Sequence, residues 1–188
     1  MKSSLVAGAA VAVIVVAVAA VLSSRRRTPS APAAEITASL RSMALGLTPE
    51  DAGINIPSTQ QGVWGVVADF GLQAGTTTVV GLQGGTASLY QTSGEAIIGG
   101  ESHENVRQAV TALVLSAEGS AALLTLRGPQ PCPQPGHVRL YAHSRAGLLA
   151  SPELSNAELA SGALPFSPLF LAVNNLITQL RLTAGAGA

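Results

Sequence analysis

Apolar and polar positions divide the chain into two unlike parts. An uninterrupted run of eighteen apolar residues begins at Leu5 and ends at Leu22, and three arginines follow it at positions 25–27. At about 1.5 Å of rise per helical residue the run spans roughly 27 Å, and the flanking serines extend it toward the ~30 Å of a hydrocarbon core. The pattern predicts one N-terminal transmembrane helix, with residues 1–27 as the anchor.

A cleaved secretory signal is the alternative interpretation of this segment. Lys2 supplies a basic start, and residues 17–19 would satisfy a small-residue cleavage site. However, the run is longer than the ~7–15 residues of a typical signal, and the nearby arginines would oppose translocation, so we expect a retained anchor. The three arginines outweigh Lys2 and the terminal amine by one charge, which favours a cytoplasmic domain over a periplasmic or extracellular one.

Beyond a Pro/Ala/Ser linker at residues 28–34, the pattern is that of a single globular domain, residues 35–182. Apolar residues at helical spacing predict a first helix that ends near Gly46. Residues 48–62 contain scattered prolines and glycines and are expected to be irregular. Residues 183–188 are expected to fray.

An antiparallel meander follows the irregular segment. β-Branched and aromatic residues, separated by glycine-containing turns, predict strands over residues 63–72, 76–82, 86–92 and 95–98. Ser102 is then the expected N-cap of an amphipathic helix over residues 103–118.

The last third of the domain is predicted to contain a hairpin and a final helix. Residues 137–142 and 148–150 predict two strands, after a proline-rich loop at residues 128–136. Ser167 followed by Pro168 predicts the start of the helix. The predicted fold class is therefore α+β: an antiparallel sheet of about five to six strands with two to three helices, preceded by one transmembrane helix.

The chain is neutral as a whole, but its two parts carry opposite charge. Lys2 and residues 25–27 give +4, whereas the remainder has six arginines against ten acids, or −4. A lysine-free domain of that sign is not suited to nucleic acid. Its size supports one core, and Cys132, the single cysteine, excludes an intramolecular disulfide.

Three short motifs copy fragments of catalytic signatures without their context. Residues 69–71 match the kinase metal-binding tripeptide, and residues 81–86 resemble a phosphate loop, yet neither has the accompanying lysine or helix. We interpret Asp69 as a strand-end residue that caps the following turn. Residues 102–104 contain the residue types of an acyl-transfer triad, but adjacent helical residues point about 100° apart and cannot align.

Cys132 and His137 are the one enzymatic candidate worth an assay. A cysteine and a histidine that meet across a loop can form an activated thiolate. They do not make a zinc site, which needs four ligands, and His143 would lie roughly 20 Å away along the strand. We expect no metal and no cofactor. Trp64, Tyr90 and Tyr141 fall on predicted strands, where they would either pack the core or form a ligand-binding face.

The order of elements resembles that of roadblock, longin and profilin-like domains, which pack helices against an antiparallel sheet. Residues 65–71, 85–90 and 98–104 are also similar to segments of an uncharacterised bacterial α+β family, and this similarity covers most of residues 35–182. It implies a shared fold and supplies no activity.

The sequence leaves several functions open. The leading hypothesis is a single-pass membrane protein whose domain is a non-enzymatic interaction or assembly module, with a protein partner or a homodimer. The alternatives are a thiol-dependent enzyme or redox sensor that uses Cys132 with His137, an exported soluble protein with a cleaved signal, and a small-molecule binder that uses the sheet face near Tyr90 and Tyr141.

Overall fold

The computed structural model describes residues 32–185. The predicted anchor, most of the linker and the last three residues lie outside this range. The described residues form four helices, which are α1 (Ala33–Gly46), α2 (Glu104–Ser120), α3 (Asn156–Ala160) and α4 (Ser167–Gly185). None of them combines the length and apolarity needed to cross a membrane.

The described strands form one antiparallel sheet in the order β4-β3-β2-β1-β6-β7-β5, with β8 paired beside β6. They are β1 (Gly65–Leu72), β2 (Gly75–Leu82), β3 (Thr86–Gln91), β4 (Ala96–Ile98), β5 (Thr125–Leu126), β6 (His137–Ser144), β7 (Gly147–Ala150) and β8 (Leu154–Ser155). The predicted α+β class and the antiparallel meander are confirmed. The expected count of five to six strands and two to three helices is too low, because β5, β8 and α3 have five residues or fewer and leave no periodic pattern.

The sheet is covered on both faces, so the domain has three layers. Alternate residues of β1 point to opposite sides: Val66, Ala68 and Phe70 face α2 and α4, whereas Val67 and Asp69 face α1. The α2/α4 side holds the larger core. The α1 side holds a smaller core around Trp64 and Tyr141.

Two local predictions differ from the structure. Ser102 ends a 3₁₀ turn (Gly100–Ser102), and the N-cap of α2 is His103, whose side chain makes no capping bond. Asp69 is not a turn cap at a strand end. It lies inside β1 and is fully buried. Side chains from α1 and β2 supply the hydrogen-bond partners that a buried carboxylate requires.

Candidate functional site

The α1-covered face of the sheet carries a row of polar side chains. The strand register places Asp69 directly opposite Thr78 on one side and Arg139 on the other. Tyr90 lies opposite Thr78 and extends the row to a fourth strand. An uninterrupted polar row across the middle of an otherwise apolar sheet requires internal partners, because the covering helix excludes water.

Arg41 of α1 supplies the main partner for this row. Its Nε donates to Asp69 Oδ2 over 2.7 Å, while the Thr78 hydroxyl donates to Asp69 Oδ1 over 2.7 Å. The Nη2 group of Arg41 also donates to Tyr141 Oη at 3.1 Å and to the Gln130 carbonyl at 2.6 Å. We call these four side chains, Arg41, Asp69, Thr78 and Tyr141, the Asp69 cluster.

The electrostatics of the Asp69 cluster follow from its burial. Burial raises the pKa of Asp69 above its usual range, and the Arg41 guanidinium and the Thr78 hydroxyl offset part of that rise. Burial likewise raises the pKa of Tyr141, and the Asp69 carboxylate adds to the effect. Asp69 is fully buried, so its carboxylate is out of reach of an external substrate while α1 is in place.

A second group of side chains lies beneath the C-terminal end of α1. The Trp64 and His143 rings stack with their centroids 4.5 Å apart. Nε2 of His143 lies 2.9 Å from the Ala44 carbonyl, which can only accept, so this nitrogen carries the proton of the neutral ring. Burial lowers the pKa of His143 to about 4, although the Ala44 carbonyl offsets part of the effect. Tyr90 donates from its hydroxyl to the Leu40 carbonyl over 3.2 Å.

The proline-rich loop, residues 128–136, is clamped against the opposite end of the sheet, where β1 ends and β6 begins. Arg139 donates to the Pro131 carbonyl, and Glu153 accepts the Gln134 N–H over 2.9 Å. At Gly71 the loop passes so close that an added Cβ would lie 2.0 Å from the Gln134 oxygen. The loop is therefore a fixed part of the fold.

The predicted Cys132–His137 pair lies on this loop and at its end. Cys132 is exposed, and His137 places Nδ1 3.2 Å from the Pro135 carbonyl. Within residues 32–185 no hydrogen bond joins Cys132 to His137. His143 lies far along β6 beneath α1, and in the same described range no three His, Cys, Asp or Glu side chains converge in a way that could hold a metal ion. The thiol-enzyme hypothesis stays a prediction.

An open apolar cavity lies on the other face, at the end of the sheet where β2 turns into β3. Its volume is about 180 Å³. Side chains from α2, the β2–β3 turn and the segment before β1 line it: Pro57, Thr59, Val63, Gln83, Gly84, Val110, Thr111, Val114, Leu115 and Glu118. We call it the α2 cavity.

Glu118 fixes one wall of the α2 cavity. Its carboxylate accepts the N–H groups of Gln61 at 2.7 Å and Val63 at 2.9 Å. Burial by itself would raise the pKa of Glu118, but these two N–H groups, together with the Thr59 side chain and the charge of Arg145, lower the net pKa. Glu118 is thus an ionised structural clamp that holds residues 61–63 against α2.

Arg41 was not among the predicted site residues, and Asp69 was predicted at a strand end, although the sequence contains a signal for both. Asp69 interrupts a strand that is otherwise apolar, and Arg41 immediately follows Leu40 on the apolar side of the first helix. A charge inside each apolar pattern indicates a buried pair, since an isolated buried charge is strongly unfavourable.

Neither a protein-family model, nor a curated protein, nor a solved structure matches the chain.

Proposed function

We propose that the chain is a single-pass membrane protein whose domain binds another protein through the α2 cavity and performs no chemistry itself. The observation that carries the proposal is the open apolar cavity with a large aliphatic side chain at its rim. Leu115 is 63% exposed there. The membrane part of the proposal is supported by the apolar run from Leu5 to Leu22 and the three arginines behind it.

The position of the cavity suits a partner that approaches from solution. Ala33, where the described chain begins its first helix, lies beside the turn at Gly94: an added Cβ there would be 3.0 Å from the Ala33 Cβ. The α2 cavity lies beside the turn at Gly84, at the other end of β3. A six-residue strand separates these turns by roughly 20 Å. An anchor before Ala33 would therefore join the domain at the end of β3 that is remote from the cavity.

The volume of the cavity limits the size of the group that it can accept. An apolar cavity of about 150 Å³ accepts a benzene molecule, and the α2 cavity measures about 180 Å³. Because its one carboxylate, Glu118, already holds two backbone N–H groups, the cavity offers no free charge to a ligand. We infer that a partner protein inserts one large apolar side chain, which Leu115 covers on binding.

The test uses carbodiimide crosslinking of the detergent-solubilised full chain. Residues 28–188 contain no lysine, so the carboxylates of the domain crosslink to the amines of a partner. Leu115→Glu should abolish a discrete adduct that the natural chain forms. Leu171→Glu is the matched control, because Leu171 is 57% exposed on α4. We expect the free energy of unfolding of both variants to lie within ~0.5 kcal/mol of that of the natural chain, as is usual for substitutions at exposed positions.

Two outcomes would contradict the proposal. One is a strictly monomeric protein, by light scattering, that gives no adduct in native membranes. The other is an adduct that Leu115→Glu and Leu171→Glu reduce equally, since that would separate binding from the α2 cavity. A dimer that Leu115→Glu alone dissolves would identify a second copy as the partner.

A further inference from the structure

The sheet face beneath α1 concentrates the side chains of this chain that are best suited to binding. The only tryptophan and both tyrosines of the sequence are there, together with a fully buried carboxylate and a buried histidine: Trp64, Tyr90, Tyr141, Asp69 and His143. On the opposite face, β1 presents only Val66, Ala68 and Phe70 to the larger core.

Asp69 sets the chemistry of whatever covers this face. Its carboxylate is completely buried, and an ionised buried carboxylate requires a cation. Arg41 supplies that cation from α1 through the 2.7 Å contact to Oδ2. Any other occupant must therefore present a guanidinium or ammonium group at the same place.

The remaining polar contacts to α1 do not depend on its sequence. Tyr90 and His143 bond to the main-chain carbonyls of Leu40 and Ala44, which any helix in this position would offer. The apolar contribution of α1 is modest, because it fully buries only Leu40, Ala44 and Leu45 and partly buries Ile36. By contrast, α2 buries six side chains and packs along α4.

One donor beneath α1 is left without a partner. Nε1 of Trp64 is buried and makes no hydrogen bond to any described residue. A buried unpaired donor is unfavourable, so α1 does not satisfy this face completely.

We propose that α1 is a displaceable cap, and that the face beneath it binds an amphipathic helical segment of a partner protein that supplies a cation to Asp69. This site is separate from the α2 cavity and does not depend on the proposed function. Residues 47–64 join α1 to β1 without a helix or strand, so α1 can leave while the sheet keeps its hydrogen bonds.

The first measurement uses the natural full chain in detergent. Hydrogen exchange followed by mass spectrometry should show α1 amides exchanging faster than those of α2 and α4, by roughly a hundredfold, as a locally opening element does. Equal protection of α1 and α4 would overturn the proposal, because it would make α1 an integral layer.

The second measurement uses Trp64 as a built-in reporter and a synthetic peptide of residues 33–47 as the probe. Arg41→Met should expose Trp64 to acrylamide and allow the labelled peptide to bind and restore its protection. A peptide with methionine in place of Arg41 should bind at least roughly tenfold more weakly, a loss of about 1.4 kcal/mol. Arg107→Met, which removes an arginine of α2 paired with Glu104, should change nothing.

Several results would overturn the proposal. In Arg41→Met, Trp64 could stay protected from acrylamide, or it could become exposed while the variant fails to bind the peptide. Equal binding of the natural and the methionine peptides would also overturn the proposal. If Arg41→Met loses its far-ultraviolet circular dichroism, Leu40→Ala replaces it, because that change keeps the ion pair and removes only apolar contact. Leu40→Ala should bind the natural peptide more tightly than the methionine peptide, as Arg41→Met does. Equal binding of the two peptides to Leu40→Ala would also overturn the proposal that α1 is a displaceable cap.

Discussion

His143 is held neutral by its burial between β6 and α1. Its pKa of about 4 lies below the ordinary 6.5 because the charged ring would lose its hydration. Between these two pH values the unfolded chain binds a proton at His143 and the folded chain does not. The free energy of unfolding therefore falls as the pH drops from about 6.5 to about 4, by at most about 3 kcal/mol.

We predict that His143→Gln removes this part of the pH dependence. The amide cannot be protonated in this range, whereas Asp69 titrates identically in both proteins and cancels in the comparison. Urea unfolding at pH 7 and at pH 4 measures the difference. The natural chain should lose more stability on acidification than the glutamine variant; equal losses would mean that the ring is hydrated in the folded state.

Cys132 is exposed on a clamped loop and lacks a described hydrogen bond to His137. We predict that a small alkylating probe modifies Cys132 completely under native conditions, at a rate that His137→Ala leaves unchanged. A thiol that reacts faster than free cysteine at neutral pH, and slows in His137→Ala, would instead favour the thiol-dependent enzyme or redox sensor.

At the scale of elements, the contact of β1 with the proline-rich loop depends on Gly71. A methyl group at this position would meet the Gln134 carbonyl at 2.0 Å, and a backbone atom cannot swing aside. We predict that Gly71→Ala destabilises the domain by about 1–3 kcal/mol, as overpacking does, or detaches the loop.

Gly119→Ala is the matched control for that change. Gly119 lies in α2 with nothing within 4 Å of the added methyl group. Alanine there should raise the free energy of unfolding by about 0.5–1 kcal/mol, because it has the higher helix propensity. Thermal unfolding should show a lower stability for Gly71→Ala and a higher stability for Gly119→Ala. An unchanged stability of Gly71→Ala would show that the loop does not pack on β1.

The longer elements could be predicted from the sequence because each has a local cause. The strands of the meander follow from β-branched runs between glycine turns, and α4 begins at Ser167, where serine followed by proline indicated it. The predicted start of α2 differs from the observed one by one residue. Ser102 is a good capping residue type, but it ends a 3₁₀ turn (Gly100–Ser102), and the helix begins after His103. Segments as short as β8 and α3 carry too few residues for a period.

At the scale of the whole molecule, the arrangement of the layers could not be predicted. The pairing of β6 with β1, and of β5 with β7, joins segments that are distant in sequence and leaves no local pattern. For the candidate sites, a charge inside an apolar pattern indicates that Arg41 and Asp69 are buried. That they pair with each other, and that Glu118 meets residues 61–63, follows only from the fold. The sequence predicted a loop position for Cys132, but it did not predict the Asp69 cluster beneath α1.

The described residues 32–185 form two hydrophobic clusters, one on each face of the sheet. We predict that removing residues 1–27 yields a folded domain that leaves the membrane fraction and melts within a few degrees of the detergent-solubilised full chain. Aggregation of the truncated chain with loss of its circular dichroism would contradict this.

We propose that the domain stays attached to the bilayer through its own N-terminus. The most direct test is mass spectrometry of the N-terminal peptide of the protein recovered from membranes. We predict an N-terminus that still includes the run from Leu5 to Leu22. A mature N-terminus between Ala20 and Ala34 would contradict it, and would make the protein an exported soluble one.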